Sequence, residues 1–358
     1  MTDLTNEQIA DTLILPYLNH AIRMFDAGYA SAVDIDNGMI YGCGYPKGPM
    51  TVAQERGLFT PAEGSAEATA PEFKLEINKV GVVGTGTMAS GMIQVFAQAG
   101  YDVVFVGRSQ DKLDGVISFI DKGLSKLVEK GRITEDAKSD TLGHLTGSTE
   151  REALGDVDIV VEAIAEDLAI KSELYKDLDR ICKPGAILAT TTSSMPITKL
   201  GEVTSRPESV IGMHFFNPAT ILKLVEVVTT DATSADVAET VLALCANIKK
   251  VAVSCGDRSG FIVNCLLFPY LNDAVKLLES GQATMEEIDA AIKEQTGFPM
   301  GPFALLDLVG NDVSLAIEKE LFETFGDAAF EPAATLVAKV EAGDLGRKTK
   351  KGFYDYSA

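Results

Sequence analysis

The sequence contains no tryptophan, only three histidines and only five cysteines in 358 residues. With histidine so scarce, the search for a catalytic base reduces to His20, His144 and His214. The cysteines, Cys43, Cys182, Cys245, Cys255 and Cys265, are odd in number and include no CxxC pair. That pattern argues against a disulfide framework or a metal site and suits reduced thiols in a cytoplasmic protein. No apolar run approaches the roughly 18–20 residues that a membrane-spanning helix needs. The opening MTDLTNEQIADTL lacks the basic start and apolar core of a signal peptide. Positive charge is also short, with 31 Lys and Arg against 52 Asp and Glu and a formal net charge of −21. Such a field repels nucleic acid and anionic membranes, so neither is an expected partner, and an anionic ligand must be held by local donors. What remains is a globular composition, 46% hydrophobic and 23% charged, with length for two or three domains.

An internal repeat organises the chain. Residues 13–57 align without a gap on 266–310, at a constant offset of 253 (266 minus 13). PYLN recurs at 16–19 and 269–272, Ile35-Asp36 matches Ile288-Asp289, and GYPKGP matches GFPMGP; about a third of the paired positions are identical. Both copies read as a helix, a turn through Gly28 or Gly281, a second helix and a Gly-Pro stop. Each copy has an apolar face that it cannot bury alone, so the two are expected to pack on each other as an intrachain pseudo-dimer, with further homo-oligomerisation open. The stretch TPAEGSAEATAPEF, rich in Pro, Ala, Glu and Gly, reads as a linker. After it, the runs INKVGVVG, DVVFVG, DIVVEAI, AILATTT, SVIGMHF and LVEVVTT alternate with helices, which predicts parallel strands covered on both faces. The expected boundaries are 1–59 for a helical partial copy, 60–76 for the linker, 77–257 for a doubly wound α/β domain and 258–358 for an all-α C-terminal domain.

The α/β domain opens on KVGVVGTGTMASG, a strand, then Gly84-x-Gly86-x-x-Ala89, then a helix. Gly84 permits a tight turn, Gly86 lets the backbone approach a pyrophosphate, and small Ala89 allows close helix–strand packing. The anion would sit on the helix N-terminus, so Gly84, Thr85, Gly86, Thr87, Met88 and Ala89 are the candidate cradle of a Rossmann-type NAD(P) site. NAD-binding versions of this unit usually end the second strand in Asp or Glu. Here Gly107-Arg108-Ser109 stands instead, and Arg108 with Ser109 can bind a 2′-phosphate, so NADP is the expected cofactor over NAD.

Among the histidines, His144 in TLGHLTGST reads as a solvated loop residue, and His20, opposite Asp273 in the repeat, as a surface or interface residue. His214 differs, because it ends the apolar strand SVIGMHF at a carboxyl edge where ligands of open α/β sheets bind. Glu226 follows in LKLVEVVTT, and a half-buried carboxylate there needs a partner such as that histidine. The pair suits a dehydrogenase, since the carboxylate fixes the imidazole tautomer while the ring exchanges a hydroxyl proton. Ser193 and Ser194 close another strand in TTTSSMPIT, where a hydroxyl can hold a substrate oxygen or cap the next segment.

VGVVGTGTM, VEAIAEDLAIKSEL, TTSS, IGMHFFNPATILKLVEVV, DRSGFIVNCLLFPYLNDA, GFPMGPF and GRKTKKGFYDY occur in that order. From about residue 77 onward the sequence resembles the L-3-hydroxyacyl-CoA dehydrogenase family, in particular its short-chain 3-hydroxybutyryl-CoA type. The resemblance implies a catalytic set of His214 as general base, Glu226 as its partner, and Ser193 and Asn264 as contacts to the reacting oxygen. It implies Glu166 and Lys171 on the nicotinamide side, Lys348 as a cofactor contact from the tail, and Lys130 at the phosphates of an acyl-CoA substrate. The sequence departs from the family pattern at Thr191, where Asn is usual, and at Gly107, Ala89, Ser259 and Cys265. A related β-hydroxyacid dehydrogenase acting on a free acid, or an inactive NAD(P)-sensing protein, are the alternative readings. The first 75 residues have no counterpart in short family members, although long bifunctional relatives duplicate the helical domain.

Overall fold

The computed structural model describes residues 4–61 and 70–357. Part of the expected 60–76 linker, residues 62–69, lies outside the described residues. The chain forms two compact units, one of Met1–Ser65 with Arg258–Ala358 and the other of Ala66–Asp257.

The N-terminal helices start where local caps allow. Thr5 and Gln8 make a reciprocal capping box at the head of α1 (Asn6–Asp26), and Ser31 caps α2 (Ala32–Cys43). Gly44 ends α2 in the left-handed region, and α3 (Pro49–Glu55) begins with proline in its first turn.

In the second unit the β-branched runs form one eight-stranded sheet. Its strands are β1 (Lys79–Val83), β2 (Asp102–Val106), β3 (Leu145–Ser148), β4 (Ile159–Glu162), β5 (Ile187–Thr190), β6 (Val210–Phe215), β7 (Leu224–Thr229) and β8 (Val251–Gly256). The order β3-β2-β1-β4-β5-β6-β7-β8 reverses between β1 and β4, the crevice where doubly wound sheets bind ligands. Helices α4 (Thr87–Gln98), α5 (Gln110–Glu129), α6 (Glu135–Gly143), α7 (Leu168–Ile181), α8 (Ile197–Gly201) and α9 (Ala235–Asn247) fill the connections. Val80, Val82, Ile159, Val161, Ile187, Ile211 and Val225 belong to one buried core with Phe96, Ile120 and Leu244. One expectation fails here, because β7 pairs antiparallel with β6. Only residues 216–223 separate the two strands, too few for the crossover a parallel neighbour requires. Two strands, β3 and β8, were also not among the sequence runs. His144 lies in the turn that caps α6, partly exposed, with its Nδ1 2.8 Å from Asp102 Oδ1.

The chain returns to the helical unit through α10 (Val263–Glu279), α11 (Met285–Thr296), α12 (Pro302–Val309), α13 (Asn311–Phe325) and α14 (Ala334–Glu341). Thr284 and Glu287 form the capping box of α11. The repeat shows itself in matched contacts. Asp36 accepts the amides of Met50 and Thr51 at 2.7 and 3.1 Å, and Asp289 those of Phe303 and Ala304 at 2.9 and 3.1 Å. Each carboxylate thereby satisfies amides at the start of the following helix. A Cβ at Gly48 or Gly301 would fall about 2.2 or 2.3 Å from that carboxyl group, so both Gly-Pro stops need glycine. Paired positions also touch each other. Tyr17 meets Tyr270 with ring centroids 5.8 Å apart, and Tyr45 stacks on Phe298 at 3.5 Å with planes 8° apart.

Candidate active site

His214 and Glu226 are direct cross-strand neighbours in the antiparallel register of β6 and β7. Residues opposed in this way bring their Cβ atoms to about 4.5–5.5 Å on one face of the sheet. The side chains meet, with His214 Nδ1 2.7 Å from Glu226 Oε2. Glu226 is 1% exposed and His214 9% exposed, so the pair sits where water hardly screens it. The carboxylate selects the tautomer with the proton on Nδ1 and leaves Nε2 as the proton-exchanging atom. Phe216 sets its ring against the imidazole at 4.8 Å, in a tilted edge contact. Sequence reasoning found both residues, although it placed them in a parallel sheet.

A second cluster underlies the loop after β5. Glu162, fully buried at the end of β4, accepts from Lys171 Nζ at 2.7 and 2.9 Å, from Thr190 Oγ1 at 2.8 Å and from the Ile164 amide at 2.7 Å. Lys171, 1% exposed, also pairs with Glu166 at 3.1 Å. Glu166 accepts the Ser193 amide at 2.9 Å and the Thr192 hydroxyl at 3.0 Å. Burial opposes ionisation of Glu166, but the Lys171 charge and the Ser193 and Thr192 donors hold its pKa below the ordinary carboxylate value. Ser193 is thus positioned through its backbone by a charged chain that begins at Glu162. That residue escaped sequence reasoning, although a glutamate inside the apolar run DIVVEAI was the available signal.

The glycine loop borders a cavity of about 760 Å³ that Gly84, Thr85, Gly86, Thr87, Met88 and Arg108 line. Gly84 has φ +139°, and a Cβ there would lie 2.4 Å from the Ala163 carbonyl oxygen. A Cβ at Gly86 would meet nothing within 4 Å, so the backbone there faces open space. Gly86 caps α4 without a side-chain bond, which leaves the first amides of a twelve-residue helix for an anion. These features fit a dinucleotide. Ala89 is buried beneath the loop, and Ser109 caps α5 with extended backbone. At Gly107, where a carboxylate would select NAD, a Cβ would fall 2.6 Å from the Thr85 methyl and 2.9 Å from Leu113. Thr149 and Arg151 also line the cavity and were missed, since nothing in the TGSTER sequence marks them.

The remaining predicted residues fall on other elements. Lys130 caps the C-terminal end of α5 and is exposed. Asn264 occupies the first turn of α10 in the helical unit. Lys348, in the same unit, bonds Asp312 at 2.5 and 2.7 Å.

With this geometry established, comparison with known proteins is direct. The profile of the 3-hydroxyacyl-CoA dehydrogenase NAD binding domain matches residues 79–258, and that of its C-terminal domain matches 260–356 and also 9–79. The chain belongs to the 3-hydroxyacyl-CoA dehydrogenase family. It is 46% identical over 279 residues to a 3-hydroxybutyryl-CoA dehydrogenase of Clostridioides difficile, a match covering 78% of this chain and 99% of that one. The crystal structure of (S)-3-hydroxybutyryl-CoA dehydrogenase from Ralstonia eutropha superposes with a TM-score of 0.77 at 39% identity, covering 79% of this chain and 100% of the other. The dehydrogenase part of a multifunctional enzyme from C. elegans covers 92% of this chain and 71% of its own, with a TM-score of 0.58 at 26% identity. A family enzyme with a nicotinamide-binding sheet and a helical domain is therefore the frame in which this site works. The second match of the C-terminal profile falls on the N-terminal repeat.

Proposed function

We propose that the protein interconverts a short-chain L-3-hydroxyacyl-CoA, of which 3-hydroxybutyryl-CoA is the type, and the matching 3-oxoacyl-CoA. The observation that carries this reading is the buried 2.7 Å pair of His214 and Glu226 near the end of β6. In the oxidation, His214 Nε2 takes the proton of the 3-hydroxyl group as the C3–H electron pair departs, and C3–O becomes a carbonyl. Glu226 stabilises the imidazolium that forms, and in the reverse direction the ring returns the proton. A bound nicotinamide supplies the hydride acceptor or donor. Ser193, steadied by Glu166, offers its hydroxyl to the reacting oxygen. Asn264 and Lys348 are carried as further contacts on the strength of GFIVN and GRK alone, and Lys130 as a contact to the CoA phosphates. Five cysteines, none of them in a disulfide among the described residues, suit a reducing, cytoplasmic setting.

NADP is the cofactor we favour. Support comes from Arg108 at the rim of the cavity and from the packing at Gly107, where the Thr85 methyl fills the space of the missing side chain. The N-terminal copy, in turn, stands where a second subunit's helices would stand, because its paired positions touch one another as a twofold contact requires.

The test follows oxidation of NADPH and NADH with acetoacetyl-CoA and with free acetoacetate. We expect turnover of the CoA ester, faster with NADPH. Arg108→Asp should raise KM for NADPH about tenfold to a hundredfold, since a charge-assisted contact contributes ~1.5–3 kcal/mol. Equal use of both cofactors, unchanged in the variant, refutes the NADP reading. Turnover of the free acid alone refutes the CoA substrate, and no oxidation at all refutes the reaction.

A further inference from the structure

The helical unit carries an open pocket of about 240 Å³, apart from the residues proposed for the dehydrogenase chemistry. Helix α1 contributes His20 and Arg23 to it, and Arg258, Phe325, Asp327 and Phe330 come from the C-terminal part. The Arg258 guanidinium lies 3.5 Å over the Tyr29 ring and 5.6 Å from that of Phe325. Its Nε is buried without a hydrogen-bond partner. Among the described residues neither Arg23 nor Arg258 has an ion-pair partner, although the chain carries 52 acidic residues against 31 basic ones. With Asp327 as the one carboxylate among its lining residues against two guanidiniums, the pocket keeps a net positive charge that favours an anion.

The repeat explains how the vacancy in charge arose. His20 pairs with Asp273 and Arg23 with Lys276 at the offset of 253. A copy that had kept the aspartate would present a carboxylate from α1 at this place, whereas the fused copy presents a neutral donor. Burial first, then the charges of Arg23 and Arg258, push the His20 pKa from 6.5 down to about 4, with Asp327 opposing. Asp327 itself is engaged, accepting the Ala329 amide at 2.9 Å.

We propose that this pocket binds a compact, doubly charged oxyanion, either a phosphate group or a dicarboxylate. Arg23 and Arg258 supply the charge, His20 a hydrogen bond, and Asp327 an acceptor for any proton or hydroxyl the anion carries. The site exists only because the N-terminal copy is fused to this unit, so occupancy ties α1 to Arg258 and stabilises the folded chain by mass action.

The experiment titrates the full chain with inorganic phosphate, succinate and acetate at fixed ionic strength, against chloride. Because the cofactor loop also accepts phosphate, binding is read at His20 by NMR, one of three histidines, and repeated in Arg108→Asp. We expect phosphate or succinate to move the His20 ring signals saturably and to raise its pKa by a unit or more, with acetate inert. Arg23→Gln should weaken the apparent Kd about tenfold, and Arg258→Lys by a similar factor, since a rigid fork is lost. A response to phosphate alone identifies a phosphorylated ligand, and one to succinate alone a dicarboxylate. No saturable change at His20, or an unchanged Kd in both variants, overturns the proposal.

Discussion

The two copies of the helical hairpin have kept the same packing device and differ in what surrounds it. In both, an aspartate, half-buried at Asp36 and buried at Asp289, holds the amides of the next helix, and a glycine makes room for it. Burial raises the pKa of Asp36 and of Asp289, while the bonds from Met50, Thr51, Phe303 and Ala304 work against that rise. Beyond this the copies part. Asp289 also takes the Tyr354 hydroxyl at 2.9 Å, and Asp307 takes the amides of Phe353 and Tyr354 at 2.8 Å each, so the C-terminal tail folds onto the second copy. The first copy has no such tail, and the position matching Asn264 is Asp11, paired with Arg56. Duplication thus preserved what closes a helical hairpin and what lets two hairpins meet. It did not preserve Asn264 or the tail that folds onto Asp289 and Asp307.

The largest expected effect separates chemistry from the copies altogether. His214→Ala or Glu226→Gln should lower kcat by about two to four orders of magnitude, the usual contribution of a general acid–base group. Gln keeps the shape of Glu226 but removes the charge that stabilises the imidazolium. Both variants should still bind cofactor, because the glycine loop lies in a separate part of the sheet. Near-normal turnover in either would show that the buried pair is not the proton-transfer device.

Next in size is removal of the first copy. Truncation to residue 70 uncovers the rings of Tyr270 and Phe298, buried in the full chain against Tyr17 and Tyr45. An apolar helical face left open is an association site, and by symmetry its best partner is the same face on another chain. The truncated protein should therefore self-associate more strongly than the full chain and melt at a midpoint that rises with protein concentration. Sedimentation and thermal scans check this. A truncated chain with unchanged size and midpoint would show that the copies do not depend on each other.

Much of this was readable in advance, for physical reasons that differ by region. The glycine loop is legible because its backbone geometry admits few residues, as the 2.4 Å clash at Gly84 shows. The His214–Glu226 pair is legible because charged residues inside apolar strands demand partners. The repeat is legible because contacts between matched positions constrain both sides at once. Strand direction was not legible from composition, since LVEVVTT would look the same in either sense; only the short 216–223 connection carried that information. Strand β3 hid because LTGS is short and polar at the sheet edge. The role of Glu166 in holding the Ser193 amide is a matter of three-dimensional proximity across 27 residues, which no local pattern encodes.

The smallest effect tests the copies at one matched position, where they should respond to pH with opposite sign. Asp273 in the second copy has its pKa raised from 3.8 to about 6, by burial first with Lys276 opposing. Between those values the folded state holds a proton that the unfolded state has released, so this residue makes stability fall as pH rises. His20 in the first copy is lowered from 6.5 to about 4. There the unfolded state holds the proton that the folded state refuses, so stability rises with pH across that window. The two slopes oppose each other from about pH 4 to 6. Glu318, unpartnered in the helical unit and raised by burial from 4.5 to about 8, adds a decline that continues above pH 6. Urea titrations in steps from pH 4 to 8 should therefore show stability falling from about pH 4.5 toward pH 8 on the Glu318 slope, with the two matched positions cancelling each other up to about pH 6. His20→Gln should steepen the loss of stability between pH 4 and 6, and Asp273→Asn should turn the same interval toward a gain. If both variants kept the parent profile, the two positions would be equivalent in solvation, and the divergence of the copies would not extend to their buried charges.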